Sequence, residues 1–431
     1  MNNKLLLGIA REIITPEIGG NLYGYNPNIY SESVNDDLTA TAFAFSQNEK
    51  TAIMISITVC GVANYLQEEI RKEINEKTGV PFGNIILAAT HTHSAPNTSG
   101  GFGWGEIDIE YVNGIFRPAI VKVGVDAFNN LQPVTVASAV GKSYVGINRR
   151  ELNENNDIVL GQNPWGPFNP DMTVISFKNE EDAVVGNIIS YGCHGTSAGL
   201  NHEVTRDWPG YMTDAVETVS GGITAFFNGP EGDVGPRLSN GKTIGNIKLT
   251  AELGAIAASD ALKIYNSLPE YADVDFDVFD GQLNLPLLPK VSLEEAEKWI
   301  AEYEGKDTWP LAKRRLLHYK EVKKAILNGD NDNEYRPVPQ SLIKLGNVVF
   351  ASCPYELFSE INLRIQKEVK DYNVIVLSNA NGIGGYFPTQ SELCRLGYEI
   401  LMFFIDDIQC YTDDADYQFI KETIKNIEKI K

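Results

Sequence analysis

The 431-residue sequence lacks features that define several large classes of protein. No stretch approaches the ~18 consecutive apolar residues of a membrane-spanning helix, and the apolar run at residues 5–9 is too short for a signal peptide. Basic residues are scarce: 36 lysines and arginines face 57 acidic residues, and the formal net charge is −21. A chain this acidic repels nucleic acid and anionic lipid. We therefore expect a cytoplasmic protein that acts on a small molecule and does not insert stably into membranes.

Cysteine is also scarce, and its pattern argues against two further classes. The five cysteines stand singly, their number is odd, and no CxxC spacing occurs. A thiolate metal cluster and a disulfide framework both require closer or paired cysteines. Reduced, unpaired thiols are the expectation.

Histidine is rare as well, but four of the five histidines fall in two short segments. The segment AATHTHSAP contains His91 and His93, and YGCHGTSAGLNHE contains His194 and His202. Because imidazole is the commonest transition-metal ligand at neutral pH, this grouping predicts a metal site. Alternate residues of an extended segment share one side, so we expect His91 and His93 to face one point. His202 suits a solvated loop as well as a place beside the site, and His318 is expected at a helix surface.

The order of apolar runs predicts an α/β fold with a mixed β-sheet core layered with helices. A strand pair at residues 38–60, a helix at 64–78 and a buried strand before THTHS give the first layers. Four predicted strands end in the polar loops THTHS, GCHGTS, PEGDVGPR and NANGIGGYFPT. Loops at such strand ends are where α/β folds place ligands. A long helix is expected at 107–131, and a charged helical hairpin is expected as an insertion at about 291–330.

Zinc fits the histidine pattern best, because imidazole suits zinc and no thiolate cluster competes. A catalytic zinc site usually has about three protein ligands and an open position, so a carboxylate is expected beside the histidines. Four acidic residues lie near the polar loops, and spacing alone does not choose among them. They are Asp207, Glu231, Asp233 and Glu356.

Six short motifs occur in the order seen in the neutral/alkaline non-lysosomal ceramidases. The motifs are THTHSAP, HGTS, INRR, GPEGDVGP, CPYE and YFPT. From residue 5 to about residue 399, the sequence resembles the catalytic N-terminal domain of that family. The resemblance implies a single catalytic domain over residues 1–431, without the immunoglobulin-like C-terminal domain of those enzymes.

The resemblance also implies a set of metal ligands. His91, the first histidine of THTHS, and His194 of HGTS would bind zinc. Glu356 of CPYE would be the carboxylate ligand, and Tyr386 of YFPT would bind through its phenol oxygen.

Further residues would surround the reacting carbonyl group. The resemblance implies that His93 lines the pocket and bonds the substrate or the attacking water. It places Arg149 of INRR near the carbonyl and Tyr398 near the reaction centre. Asp233, from its loop position, is a further candidate for supporting a metal ligand or the water.

Simpler interpretations exist for several of these residues. Glu356 precedes a helix-like run and would favour the helix N-terminus. Tyr386 would be an ordinary loop aromatic, and Asp233 would be a turn former. Arg149 would pair with Glu151 at the surface.

One position departs from the family pattern. Gly235 stands in GDVGP where the family carries a serine proposed to take part in catalysis, and glycine has no hydroxyl to supply. The expected function is therefore zinc-dependent hydrolysis of a linear amide (N-acyl) bond by metal-activated water, on a soluble N-acyl compound rather than ceramide. The alternatives are a zinc hydrolase of an ester, glycosidic or phosphate bond, and a catalytically inactive binding homologue.

Overall fold

A computed structural model describes residues 4–101, 104–306 and 310–430. The strands are β1 (Leu6–Ile13), β2 (Ser33–Val34), β3 (Thr39–Gln47), β4 (Lys50–Ile57), β5 (Ile85–Ala89), β6 (Gln132–Pro133), β7 (Thr135–Lys142), β8 (Gly146–Asn148), β9 (Arg150–Leu152), β10 (Ile158–Leu160), β11 (Asp171–Lys178), β12 (Val184–Tyr191), β13 (Glu203–Val204), β14 (Ile223–Asn228), β15 (Val234–Pro236), β16 (Phe276–Pro286), β17 (Tyr335–Leu345), β18 (Val348–Ser352), β19 (Glu356–Leu357), β20 (Asn373–Leu377) and β21 (Tyr386–Phe387). The helices are α1 (Asn64–Thr78), α2 (Ile109–Tyr111), α3 (Arg117–Asn129), α4 (Asp207–Ser220), α5 (Ile247–Tyr265), α6 (Leu293–Tyr303), α7 (Pro310–Asn328), α8 (Ser359–Glu368), α9 (Gln390–Leu393), α10 (Tyr398–Phe403) and α11 (Ala415–Ile427). Within these described residues, no helix has both the length and the apolar character needed to cross a membrane.

Three larger sheets form the centre of the fold. Their strand orders are β5-β4-β3-β1-β6, β14-β12-β11-β7 and β16-β17-β18-β20. Each sheet combines antiparallel neighbours with one parallel pair, namely β4 with β5, β12 with β14 and β18 with β20. The predicted mixed α/β architecture is confirmed.

The three sheets share one apolar core. Phe43 of the first sheet lies against Phe177 and Phe227 of the second, with ring centroids 6.2 and 6.4 Å apart. Phe227 in turn lies 6.4 Å from Phe350 of the third sheet. Aromatic side chains bury large areas and stabilise such junctions. The shared core fixes the strand ends of different sheets relative to one another.

Helix α1 shows how the sequence pattern sets these layers. It occupies the predicted residues 64–78, and Leu66, Ile70 and Ile74 form its buried stripe. Burying each such side chain contributes ~1.5–3 kcal/mol. The helix ends at Gly79, whose φ of 76° is a left-handed conformation that glycine adopts without strain.

The predicted helix at 107–131 is present in a modified form. The helical segment runs from residue 109 to 129 and contains a π-helical turn at Val112–Phe116. Pro118 follows this turn and has no N–H to donate to the carbonyl of Gly114. A wider turn accommodates the missing hydrogen bond.

Two local features of the structure were not predicted from the sequence. The sequence pattern did not indicate helix α4, because Pro209 and Gly210 usually interrupt helices. Both lie in its first turn, where the missing N–H of proline costs no hydrogen bond.

The second feature concerns His318. It lies on α7, within the predicted hairpin, and is only 7% exposed, so the expected surface position is wrong. Leu311, Val322 and Ala325 are buried at helical spacing around it, which places His318 on the packed face. Burial lowers its pKa to about 4.

Candidate metal centre

The four predicted polar loops meet beyond the carboxyl ends of β5, β12, β14 and β20. Backbone hydrogen bonds join them directly. These bonds run from the N–H of His93 to the carbonyl of Gly195 at 3.0 Å, from His194 to Val234 at 3.1 Å and from Ala89 to Asn379 at 3.2 Å. The loops therefore form one unit, and side chains distant in sequence are brought together.

His91, His194 and Glu356 converge at this unit. Glu356 Oε2 lies 3.1 Å from His194 Nε2 and 3.5 Å from His91 Nε2. All three side chains are buried, and one potential ligand atom from each lies within 4.8 Å of the others. Such a group is able to hold a metal ion.

Local backbone geometry turns His91 toward this point. Its φ of 66° is left-handed, so the predicted reason, alternation along an extended segment, is wrong. The two imidazoles nevertheless meet, since His93 Nε2 lies 3.3 Å from His91 Nε2. His91 Nδ1 lies 2.7 Å from the carbonyl oxygen of Cys60. A proton on Nδ1 satisfies that carbonyl and leaves the Nε2 lone pair facing Glu356.

His194 is oriented in the same manner by the loop after β14. Its Nδ1 lies 2.8 Å from the carbonyl of Glu231 and 3.1 Å from that of Val234. The indole N–H of Trp208 donates to the backbone carbonyl of His194 at 3.0 Å. These three contacts place the His194 Nε2 lone pair toward Glu356.

Asp207 holds the loop that follows His194. Its buried carboxylate accepts hydrogen bonds from the N–H groups of Ser197, Ala198 and Trp208 and from the Ser197 hydroxyl. These four bonds occupy the carboxylate, so Asp207 supports the loop and does not serve as the ligand left open by the sequence.

The charge states of His194 and Glu356 suit a cation, whereas His91 would release a proton when a metal ion binds. Burial, with Arg149 nearby, lowers the pKa of His194 to about 3, which keeps its imidazole neutral at pH 7. Burial acts to raise the pKa of Glu356, but His91 and His194 hold it well below its usual range. Burial likewise acts to lower the pKa of His91, but Cys60 and Glu356 raise it well above its usual value.

Two atoms of the cluster have no hydrogen bond within the described residues. They are His194 Nε2 and Glu356 Oε2, and both are buried. Buried polar atoms are nearly always partnered, because desolvation without compensation costs ~1–3 kcal/mol. Two imidazole nitrogens and a carboxylate oxygen aimed at one point match the donor set of a divalent ion such as zinc. The residues present therefore fit a metal ion.

Tyr386 lies beside Glu356. The two residues pair directly in the short parallel ladder of β19 and β21, and the Tyr386 ring stacks on His194 with centroids 6.5 Å apart. Arg149 Nη2 donates to the Tyr386 hydroxyl at 2.9 Å. Tyr386 is therefore part of the buried cluster and not an isolated loop aromatic.

Arg149 belongs to a buried charge network. Its Nε donates to Glu399 Oε1 at 2.8 Å, and Arg150 donates to Glu399 Oε2 at 2.6 Å. All three side chains are buried, so the alternative of a surface pair with Glu151 is wrong. Since Arg149 is bonded to Glu399 and Tyr386, it supports the Tyr386 hydroxyl.

A cavity of about 1110 Å³ opens onto the cluster. Its wall includes five of the predicted site residues, namely His91, His93, Glu356, Tyr386 and Tyr398. Two other predicted residues, Arg149 and Asp233, are not among the described residues that line the cavity. Burial raises the pKa of Tyr398 well above its usual value, so its phenol is neutral at pH 7 and able to donate a hydrogen bond.

His93 is held by residues that the sequence did not indicate. The Tyr25 ring lies edge-on at 5.1 Å, and burial, with His91 and His194 nearby, lowers the pKa of His93 well below its usual value. Gly24 has a φ of 127°, and a Cβ there would meet the His93 ring at 2.4 Å. The YGY segment gave a weak signal, because glycine between two tyrosines has many structural causes.

A second layer behind His91 was also missed. Asn379 Nδ2 donates to Glu231 Oε1 at 2.6 Å and lies 3.2 Å from His91 Nδ1. Burial raises the pKa of Glu231 to about 8.

His202, by contrast, is exposed and its ring contacts Glu32 and the carbonyl of Tyr30.

Asp233 was expected to support a metal ligand or the water; it lies away from the cavity wall and so does not reach the water. Its Oδ1 accepts the N–H of Ser359 at 2.7 Å, and its Oδ2 accepts from the Ser359 hydroxyl at 3.2 Å and from Asn148 at 3.3 Å. Ser359 begins helix α8, so Asp233 satisfies the N-terminus that Glu356 was alternatively expected to stabilise. Asp233 is better described as a positioning residue for the loop that carries Glu356.

The Asp233→Asn variant is expected to change how stability depends on pH. Burial raises the pKa of Asp233 from 3.8 to about 7, so the folded protein binds this proton more tightly than the unfolded chain. The wild type should lose up to ~4 kcal/mol of this contribution as pH rises from about 4 to 7. Asparagine has no such proton, so the destabilisation caused by the variant should shrink between pH 5 and pH 8.

Chemical denaturation at pH 5, 6.5 and 8 measures this difference. Asp182→Asn is the control, because Asp182 is exposed and its φ of 62° suits asparagine. A difference between wild type and Asp233→Asn that stays constant with pH would contradict the assignment.

Gly235 is packed against Thr243. A Cβ at residue 235 would lie 2.8 Å from both Cβ and Cγ2 of Thr243. The departure from the family serine is thus accompanied by a neighbour that fills the space a side chain would need.

Gly235→Ser is consequently expected to destabilise the protein by ~1–3 kcal/mol through overpacking. Thermal unfolding measures the effect, and Gly114→Ser is the control, since a Cβ at Gly114 meets nothing within 4 Å. An unchanged melting temperature for Gly235→Ser would show that Thr243 moves aside without loss of stability.

The fold and the site define the protein as a mixed α/β protein with a buried histidine–carboxylate centre at its strand ends. No protein-family model matches the chain. Neutral ceramidase A of Dictyostelium discoideum is 25% identical over 252 residues, covering 52% of this chain and 35% of that protein. The neutral ceramidase of Pseudomonas aeruginosa is 23% identical over 375 residues, covering 73% of this chain and 56% of that protein. The match thus spans just over half the length of the Pseudomonas protein and about a third of the Dictyostelium protein.

Solved structures show the same fold. The crystal structure of the neutral ceramidase from Pseudomonas aeruginosa superposes with a TM-score of 0.75 at 19% identity, covering 99% of this chain and 75% of that chain. A ceramidase complexed with C2 gives the same TM-score at 18% identity. The chain is similar to the neutral ceramidases in sequence and fold, and the resemblance predicted from its motifs is confirmed.

Proposed function

We propose that the chain is a zinc-dependent hydrolase that cleaves a linear amide, or N-acyl, bond. The observation that carries the proposal is the convergence of His91, His194 and Glu356 on one point, with His194 Nε2 and Glu356 Oε2 buried and unpartnered within the described residues. Tyr386 supplies an oxygen beside them. The proteins to which the chain is similar are named for ceramide, which is itself an N-acyl compound, and this supports the choice of an amide bond.

The ligands would be His91, His194, Glu356 and Tyr386. Zinc in such a site acidifies a water molecule toward a pKa of ~7 and polarises a carbonyl group. His93 is neutral at pH 7, so its cavity-facing imidazole is able to take up a proton and to deliver it to the leaving amine.

Two further residues assist, one at the carbonyl and one through a metal ligand. The neutral Tyr398 phenol donates a hydrogen bond to the oxygen on which negative charge develops, and losing one such donor typically costs ~10²–10³ in rate. Arg149 acts through Tyr386: by donating to the phenol oxygen, it fixes the orientation of that ligand.

The polar part of the cavity wall supports a soluble N-acyl compound as the substrate. Tyr23, Tyr30, Tyr65, Asn21 and Asn28 contribute polar groups beside the apolar Ile107, Leu317, Ile383 and Met402, and such a mixed wall suits a short acyl group attached to a polar amine.

Metal analysis of the purified protein, followed by a matched amide and ester panel, tests the proposal. About one zinc per chain and turnover of short N-acyl amides are the expected results. If the protein binds zinc but cleaves only esters, the proposed amide specificity is wrong and the protein is a zinc esterase. Absence of bound zinc, together with no uptake when zinc is added, would favour the inactive binding homologue.

A further inference from the structure

Helix α7 is strongly basic in a strongly acidic chain. Residues 310–328 contain six lysines and arginines and one acidic residue, whereas the whole chain carries a formal net charge of −21. Charge of one sign concentrated on a single element attracts ligands of the opposite sign.

Most of these cations are occupied within the hairpin or lie outside the cavity wall. Arg315 donates to the Tyr303 hydroxyl at 2.6 Å, and Lys323 pairs with Glu297 of α6 at 2.8 Å. Lys320 is exposed and is not part of the cavity wall. Glu297 of α6 thus neutralises one of the cations of α7.

The other side of α7 faces the cavity of the metal centre. Lys313, Arg314 and Leu317 line that cavity, together with His93 and Tyr398. Arg314 Nη2 forms an ion pair with Asp406. Lys313 has neither an ion pair nor a hydrogen bond within the described residues, so its ammonium group is available to a ligand.

Among the described residues of the wall, the remaining charges determine the net sign. Asp406 is paired with Arg314, while Glu106 is an exposed carboxylate that offsets Lys313. At the centre, the two charges of the proposed divalent ion exceed the single charge of Glu356. The loaded cavity therefore carries net positive charge within an acidic protein.

We infer that the substrate is an N-acyl compound carrying an anionic group, a carboxylate or a sulfonate, which binds at Lys313 and Arg314 while its carbonyl lies at the metal centre. This inference rests on the proposed function and names the substrate class. A carboxylate and a sulfonate both accept hydrogen bonds from ammonium and guanidinium groups, and the cavity is large enough for an acyl group beside them.

Binding of ketone analogues tests the inference without requiring hydrolysis. The probes are matched ketones R–CO–CH₂–CH₂–X, in which a CH₂ replaces the amide nitrogen and X is carboxylate, sulfonate or neutral carboxamide. Calorimetry on the zinc-loaded protein and on the protein as isolated should show at least one anionic ketone binding about tenfold more tightly than the carboxamide. The preference should weaken at high salt, because exposed charges are screened.

Variants on α7 identify the residue responsible. Lys313→Gln should reduce the anionic preference about fivefold, and Lys313→Glu should reduce it further, while Lys320→Gln should leave it unchanged. Both lysines are exposed, so neither substitution should disturb folding, which circular dichroism verifies. Equal affinity for anionic and neutral ketones, no binding of either, or a preference that survives Lys313→Glu would overturn the inference. Because the ketones are not hydrolysed, these outcomes are independent of whether the protein cleaves amides.

Discussion

Replacing His91 with alanine is expected to abolish stable zinc binding and to lower amide hydrolysis by on the order of 10⁴-fold. The variant leaves His194 Nε2 and Glu356 Oε2, 3.1 Å apart, with one nitrogen ligand fewer. Tyr386 does not compensate, because its phenol is neutral and a weaker ligand than imidazole. The lost nitrogen is also held in place, since the backbone carbonyl of Cys60 fixes the tautomer of His91.

His202→Ala provides the matched control for this experiment. His202 is an exposed histidine from the second histidine segment, so its loss should leave zinc content and turnover at wild-type levels. Zinc is measured per folded chain by atomic emission after dialysis, and hydrolysis is measured on the same samples. A His91→Ala protein that retains one zinc per chain would place the metal elsewhere, whatever its activity.

The sequence predicted which loops form the centre but not how their side chains are turned. The four strand-end loops are visible as apolar runs followed by polar residues, and all four meet in the structure. His91 shows the limit of such reasoning, since its ring reaches the cluster through a left-handed backbone that no alternation pattern reveals. Spacing also could not separate Glu356 from Asp207 and Asp233. Only the tertiary contacts show that both aspartates are occupied by backbone N–H groups.

The supporting residues were harder to predict because each acts through contacts that are distant in sequence. Glu399 lies about 250 residues from Arg149, and nothing local to either position indicates that they pair. Asn379 is likewise 288 residues from His91. Ligand motifs are short and local, whereas the second layer is set by how three sheets pack on one core.

Arg149→Met is expected to damage the fold and the metal centre together. The change removes the cation that bonds Glu399 Oε1 and the Tyr386 hydroxyl. Breaking a buried ion pair by removing one partner typically costs ~3–5 kcal/mol. Arg150 still bonds Glu399, so we expect about 3 kcal/mol. The unsupported Tyr386 should also weaken zinc binding by ~10–100-fold, as is typical when a residue that orients a ligand is lost.

A double-mutant cycle with Glu399→Gln separates these two effects. In Arg149→Met/Glu399→Gln the buried carboxylate no longer needs a second cation, so the double variant should be more stable than the sum of the single losses implies. Its zinc affinity should stay low, because the donor to the Tyr386 hydroxyl is still missing. Urea denaturation gives the coupling energy, and competition with a chelator gives the zinc affinity. Full recovery of zinc affinity in the double variant would mean that Arg149 acts only on stability, and additive stability losses would mean that Arg149 and Glu399 do not interact.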